Sequence, residues 1–138
     1  MPGAHRSLHY GPDTYKVSAA VSGGQLVEAD GSTGLVKPAT AGSKLVLGVA
    51  LGDAAPIAAD ADPLVISQAQ PEVAVAWNGD VDVTYTAACA MGVQVKAGAN
   101  GQVTPIDGGG AGTFDQVVGR CTATVSGAGL GRMRLNQP

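Results

Sequence analysis

Apolar residues along this chain fall in runs too short for helices, and many alternate with polar or small residues. Val73, Val75, Val81 and Val83 alternate in this way on either side of Asn78-Gly79-Asp80. A period of two sets one face of a strand inward and the other outward. Asn-Gly and Asp-Gly between such runs mark hairpins, because these residues reach positive φ at little cost. Val73–Trp77 and Val81–Tyr85 therefore read as the clearest hairpin in the chain.

The same grammar occurs twice more, in two stretches that match each other. Gly24 to Leu51 starts with Gly and the apolar pair Leu26-Val27, turns at Asp30-Gly31, and resumes with Leu35-Val36-Lys37-Pro38. Its third run is Leu45 to Ala50. Gly92 to Ala123 starts with Val93-Gln94-Val95, turns at Asn100-Gly101, and resumes with Gln102-Val103-Thr104-Pro105. Its third run is Val117 to Ala123. We read a duplicated three-strand unit, about 24–51 and 92–123, with its two copies expected to be related by an approximate internal two-fold.

The remaining segments fit around these units. Tyr15 to Val21 and Leu64 to Ser67 read as short strands, and Leu130 to Leu135 as a closing strand. Thr86 to Gly92 offers an N-cap residue, helix formers and a closing Gly, the pattern of one helical turn. Gly52 to Pro63, rich in Pro and Asp, reads as a long and exposed loop. The fold class expected is all-β: a compact antiparallel β-barrel or sandwich with an extended N-terminal arm and little helix. Residues 1–15 form that arm and residues 16–138 a single β-rich domain with the internal repeat.

Composition sharpens this picture. In 138 residues there are 21 glycines and eight prolines but one Phe and one Trp. Val and Ala must supply the core, and Val suits strands. Aromatics usually bring large buried area, so a domain this poor in them draws part of its stability from a partner or from self-association. The net charge of −3 is too small to argue for nucleic acid. The charges are unevenly spread, with six acids and no Lys or Arg between Leu45 and Val95. The N-terminus lacks the apolar segment of a signal peptide, and no apolar run reaches the roughly 18 residues of a membrane span. Neither membrane nor nucleic acid is expected as a partner. Cys89 and Cys121 fall in no metal-type spacing, and two free buried thiols are expected.

Catalytic chemistry finds no constellation here. Both histidines, His5 and His9, lie in the arm, and no G-x-S-x-G elbow is present. Gly108-Gly109-Gly110-Ala111-Gly112 fits neither dinucleotide nor P-loop spacing and reads as a loop. Asp60-x-Asp62 and Asp80-x-Asp82 lack the rest of a calcium loop. No enzyme, no cofactor and no metal site is expected. The arm carries His5, Arg6, His9, Tyr10 and Tyr15, of residue types favoured at interfaces. An arm that orders on a partner is therefore expected, with these five residues as its contact candidates.

The order of features resembles that of the small capsid decoration, or cement, proteins of tailed bacteriophages. A Gly-started hairpin leads to G-V-A-L at Gly48 to Leu51. A Val-alternating hairpin and an Ala-rich turn ending at Gly92 follow. V-Q-V-K, Asn-Gly and V-V-G-R come next, before the terminal R-M-R-L. The resemblance spans about residues 16 to 135. It implies a non-catalytic protein, made in the host cytoplasm, that binds the outer surface of the phage head and stabilises the shell. Its partners would be the major capsid protein and further copies of itself, a trimer before a dimer. The alternative from another class is a soluble carbohydrate-binding or adhesion module, in which Trp77 and Tyr85 would form a stacking platform.

Overall fold

The computed structural model of the chain describes residues 11–56, 71–106 and 116–135. These hold ten short strands and one 3-10 turn, Ala99–Gly101. The strands are β1 Asp13–Lys16, β2 Leu26–Ala29, β3 Val36–Pro38, β4 Val46–Ala50, β5 Glu72–Ala76, β6 Asp80–Tyr85, β7 Gln94–Ala97, β8 Val103–Pro105, β9 Val117–Cys121 and β10 Gly129–Leu135. The first five form one sheet in the order β1-β5-β4-β2-β3, and the last five close a barrel in the order β10-β6-β8-β7-β9. The protein is all-β, and every ladder is antiparallel except at the seams.

Those seams show how alike the two halves are. The barrel closes through the parallel pair Tyr85↔Val103, where the Thr86 N–H donates to the Val103 carbonyl at 2.9 Å. The ends of the first sheet meet through the parallel bridge Val17↔Val36, where the Ser18 N–H donates to the Val36 carbonyl at 2.9 Å. The antiparallel bridge Val21↔Ala54 has its counterpart in Cys89↔Val125. The bulge between Val27 and Glu28 has its counterpart between Val95 and Lys96. Strand for strand, β1 to β5 correspond to β6 to β10.

Turn chemistry explains the two hairpins that the sequence marks correctly. β2 pairs with β3 and β7 with β8. Gly31 sits at φ 57 and Asn100 at φ 55, in the left-handed region that Gly and Asn enter most readily. The clearest hairpin of the sequence is a different object. β5 pairs with β1 and β4, whereas β6 pairs with β10 and β8. Asn78-Gly79 thus carries the chain from the last strand of the sheet to the first strand of the barrel. Thr86 to Gly92 is not a helical turn, because the Cys89 N–H and carbonyl are both taken by Val125. Leu64 to Ser67 and the Gly108–Gly112 loop lie outside the described residues, as does most of the Gly52 to Pro63 loop.

Each half has its own interior. Val17, Val21, Val27, Val36, Ala50, Ala54, Val73 and Val75 fill the first sheet, and Tyr15 packs against them half-buried. Val83, Tyr85, Cys89, Val95, Val103, Cys121 and Met133 fill the barrel. Volumes are exchanged between corresponding positions. The Val17, Val73 and Ala54 set of the sheet becomes Tyr85, Gly131 and Val125 in the barrel. A Cβ on Gly131 would stand 2.8 and 2.9 Å from the Tyr85 ring and overlap the Val125 side chain, so Gly is what lets a Tyr fit there.

The barrel core also takes in residues from the outside of the sheet. Leu26, Ala39 and Val49 are buried in it, with Val46 and Ala76 packed alongside. Backbone bonds tie the same edge down. The Thr84 N–H donates to the Gly24 carbonyl at 3.1 Å, Gly101 N–H to Ala39 at 2.8 Å, and Gly42 N–H to Ala97 at 2.9 Å. A two-fold would require each contact to recur with the halves exchanged. Gly92, the counterpart of Gly24, is exposed and has no atom of the described residues within 4 Å of a Cβ placed on it, and the same holds for Gly31 in the β2–β3 turn. The expected internal two-fold is therefore incorrect: the halves stack front to back. The physical reason is that the outer row Leu26, Val49, Ala76 is apolar, while the matching row Gln94, Arg120, Arg134 is not.

Candidate functional site

Of the five contact candidates, His5, Arg6, His9 and Tyr10 lie outside the described residues. Tyr15 is on β1, opposite Val73, and one of its faces covers the interior of the first sheet. The chain enters the described part at Gly11, whose carbonyl accepts a 2.8 Å hydrogen bond from the Trp77 indole N–H. Trp77 directly precedes the Asn78-Gly79 crossing. Any segment preceding Gly11 therefore starts from the junction between sheet and barrel.

The two aromatics proposed for a stacking platform are apart in role. Trp77 anchors Gly11, while Tyr85 is fully buried and its hydroxyl donates to the Arg132 carbonyl at 2.8 Å. Beside Tyr85 lie the two thiols, unbridged and buried. The Cys121 Sγ sits 2.8 Å from the Ala123 carbonyl and 3.7 Å from that of Cys89. Burial, followed by the adjacent Cys121 thiol, pushes the Cys89 thiol from 9.0 up to about 11. Burial, followed by Cys121, also raises the Tyr85 hydroxyl above its ordinary 10.0. Cys89 and Tyr85 are thereby held neutral, so neither is a ready nucleophile.

A folded-state pKa above the unfolded one means that the native state holds its proton more tightly. Stability from this group is complete below pH 9.0 and is lost as pH rises through about 11. The urea midpoint is thus expected to fall steadily over that window, and Cys89→Ala to flatten the fall. A wild-type midpoint that is level from pH 9.0 to 11 would contradict this. Both thiols are also expected to resist a bulky thiol reagent until the protein is denatured.

Charged side chains collect on the outer face of the barrel. β6 sets Asp80 opposite Arg134 and Asp82 opposite Arg132. The Arg134 Nε donates to Asp80 Oδ1 at 2.9 Å and holds that carboxyl below its ordinary 3.8. Across β9, Arg120 faces Arg134, and its Nη1 donates to the Gly92 carbonyl at 3.1 Å. A shallow groove beside this ladder, about 410 Å³, is lined by Gly23, Gly24, Leu51, Asp80, Asp82 and Leu130. Leu51 and Leu130 are 53% and 69% exposed at its rim, so the junction between the halves presents accessible apolar surface. Sequence reading missed this surface because its residues come from the turn before β2, the residue after β4, and strands β6 and β10, which only the packing of sheet against barrel brings together.

The one buried carboxylate among the described residues serves the fold. Glu28 accepts hydrogen bonds from the Thr40 N–H at 3.3 Å, the Thr40 hydroxyl at 3.4 Å and the Ser43 hydroxyl, and lies 3.9 Å from Lys37 Nζ. It clasps the turn between β3 and β4.

This architecture is known in other proteins. The head fiber gp8.5 N base of bacteriophage phi29 superposes with a TM-score of 0.62 over 90% of this chain and 92% of its own, at 14% identity. The C-terminal fragment of bacteriophage phi29 gene product 12 superposes with a TM-score of 0.60 over 91% of this chain and 99% of its own, also at 14% identity. The chain has the fold of these phage proteins. At such identity the likeness concerns the fold. No protein-family model matches the sequence, and no curated protein matches it.

Proposed function

We propose that this chain is a structural protein of a tailed-phage virion that sits on the outer surface of the head and reinforces the shell without catalysis. The observation that carries this reading is the fold, shared along nine-tenths of the chain with a phi29 head fiber base. The resemblance of its Gly and Val pattern to capsid decoration proteins points the same way. A protein that binds the assembled shell and not its free subunits stabilises it by mass action. Many copies at symmetric positions multiply a modest contact. The carbohydrate-module reading is weaker, because Tyr85 is core and offers no ring to a sugar.

In this reading the segment that precedes Gly11 makes the attachment, through His5, Arg6, His9 and Tyr10, and Tyr15 braces its root. Ordering a segment costs roughly 1 to 2 kcal/mol per residue, so it must gain contacts on the shell. The test is co-sedimentation with purified heads of the phage that carries the protein. Deleting Pro2 to Tyr10 spares the Trp77 bond to Gly11. It is expected to leave the melting temperature nearly unchanged while weakening attachment about tenfold or more. Failure of the full chain to co-sediment would overturn the function. Equal binding by the truncated chain would move attachment to the groove at Leu51 and Leu130.

A further inference from the structure

We infer that the charged outer face of the barrel is a docking surface for a second copy of this chain, which stacks front to back in the way that the two halves already stack within one copy. Inside the chain, the row Leu26, Val49, Ala76 of the sheet receives the barrel. The barrel carries the same row in register, Gln94↔Arg120 and Arg120↔Arg134, and among the described residues nothing covers it. Arg120 and Arg134 are exposed and stand directly opposite one another, an arrangement that like charge disfavours.

The internal interface says what would land on this row. Leu130 of the barrel lies over Gly24 of the sheet, with its Cδ2 3.3 Å from the position of a Gly24 Cβ. Leu130 is paired with Thr84, and the matching pair in the sheet is Glu72 with Lys16. Gly24 corresponds to Gly92. Repeating the stack with a second copy therefore carries Glu72 of that copy onto Gly92, whose carbonyl already holds the Arg120 guanidinium at 3.1 Å. Glu72 is exposed in the single copy. The charge balance runs the same way. Among the described residues the sheet and its loops carry five acids against three lysines, and the barrel two acids against four basic residues.

The internal contact is apolar and permanent, while the contact between copies is ionic and separable. A front-to-back interface uses two different surfaces, so it builds a ring when the rotation closes and an open stack when it does not. Its strength falls with salt.

The experiment is sedimentation velocity of the full chain over a concentration series at low and high salt, with Glu72→Lys, Arg120→Glu and the double variant. The wild type is expected to associate at low salt, each single reversal to weaken association about tenfold, and the double variant to recover it. Both residues are on the surface, and circular dichroism of each variant confirms that the fold is kept. A wild type that stays monomeric at every concentration overturns the inference, and so does an association that the single reversals leave unchanged. Neither result bears on attachment to heads, which is measured separately.

Discussion

Gly119→Ala is expected to cost at least about 3 kcal/mol, a large share of the stability of any domain this size. A Cβ at Gly119 overlaps the Arg134 carbonyl oxygen and comes within 3.1 Å of the Met133 side chain. The obstacle is backbone, which cannot rotate away as a side chain can. β10 must then separate from β9, where Leu135 pairs with Gly119 itself. Gly48→Ala does the same to the first sheet, where the added carbon overlaps the Ala76 carbonyl and lies 2.9 Å from Val75. Urea denaturation with wild-type and variant proteins reads both effects. If either alanine variant unfolds within about 0.5 kcal/mol of wild type, the close approach of these strands is wrong.

The second large effect lies in the exchange of volumes between the halves. Tyr85→Val removes most of a fully buried ring and should cost about 3 kcal/mol. Gly131→Val in the wild type drives carbon into that ring and into Val125, with a cost of about 2 kcal/mol or more. Combining Tyr85→Val, Gly131→Val and Val125→Ala rebuilds in the barrel the trio that already fills the first sheet, Val17, Val73 and Ala54. The triple variant is expected to be more stable than either single one, since neighbours that share a volume are not additive. A triple variant at or below the sum of its parts would show that the two interiors are not interchangeable at this layer.

Much of the fold can be read along the chain, because local chemistry sets it. Gly31 and Asn100 announce turns whose strands do pair. The closing strand at Leu130 to Leu135 follows its alternation. The Asn78-Gly79 turn misleads for a physical reason: a tight turn between two alternating strands looks the same whether the strands pair with each other or part to separate sheets. What decides the outcome is β1, which takes the edge of β5, and β10, which takes the edge of β6. Both partners are distant in sequence. Thr86 to Gly92 fails as a helix for a similar cause, since Val125 claims the Cys89 backbone. The candidate surface was less legible still. The basic ladder on the barrel appears in the sequence only as scattered arginines, and its counterpart row in the sheet appears as ordinary core. The matching of Leu26, Val49 and Ala76 to Gln94, Arg120 and Arg134 needs the registers of β2, β4, β5, β7, β9 and β10 together.

The sheet comes off the ribosome first, and its last strand, β5, ends at Ala76. Every hydrogen-bonded partner of β1 to β4 has by then been synthesised. The barrel is different: β10 lies between β6 and β9, so it cannot close until the final strand has emerged. A sheet that folds in that interval would leave the row Leu26, Val49, Ala76 bare to water. Such a half-folded chain would carry one sticky side, at the stage when nascent chains most readily adhere to one another. Slow translation of the second half lengthens this exposure. With the polar row on the second half rather than the first, the row left uncovered among the described residues is Gln94, Arg120 and Arg134, not the apolar one.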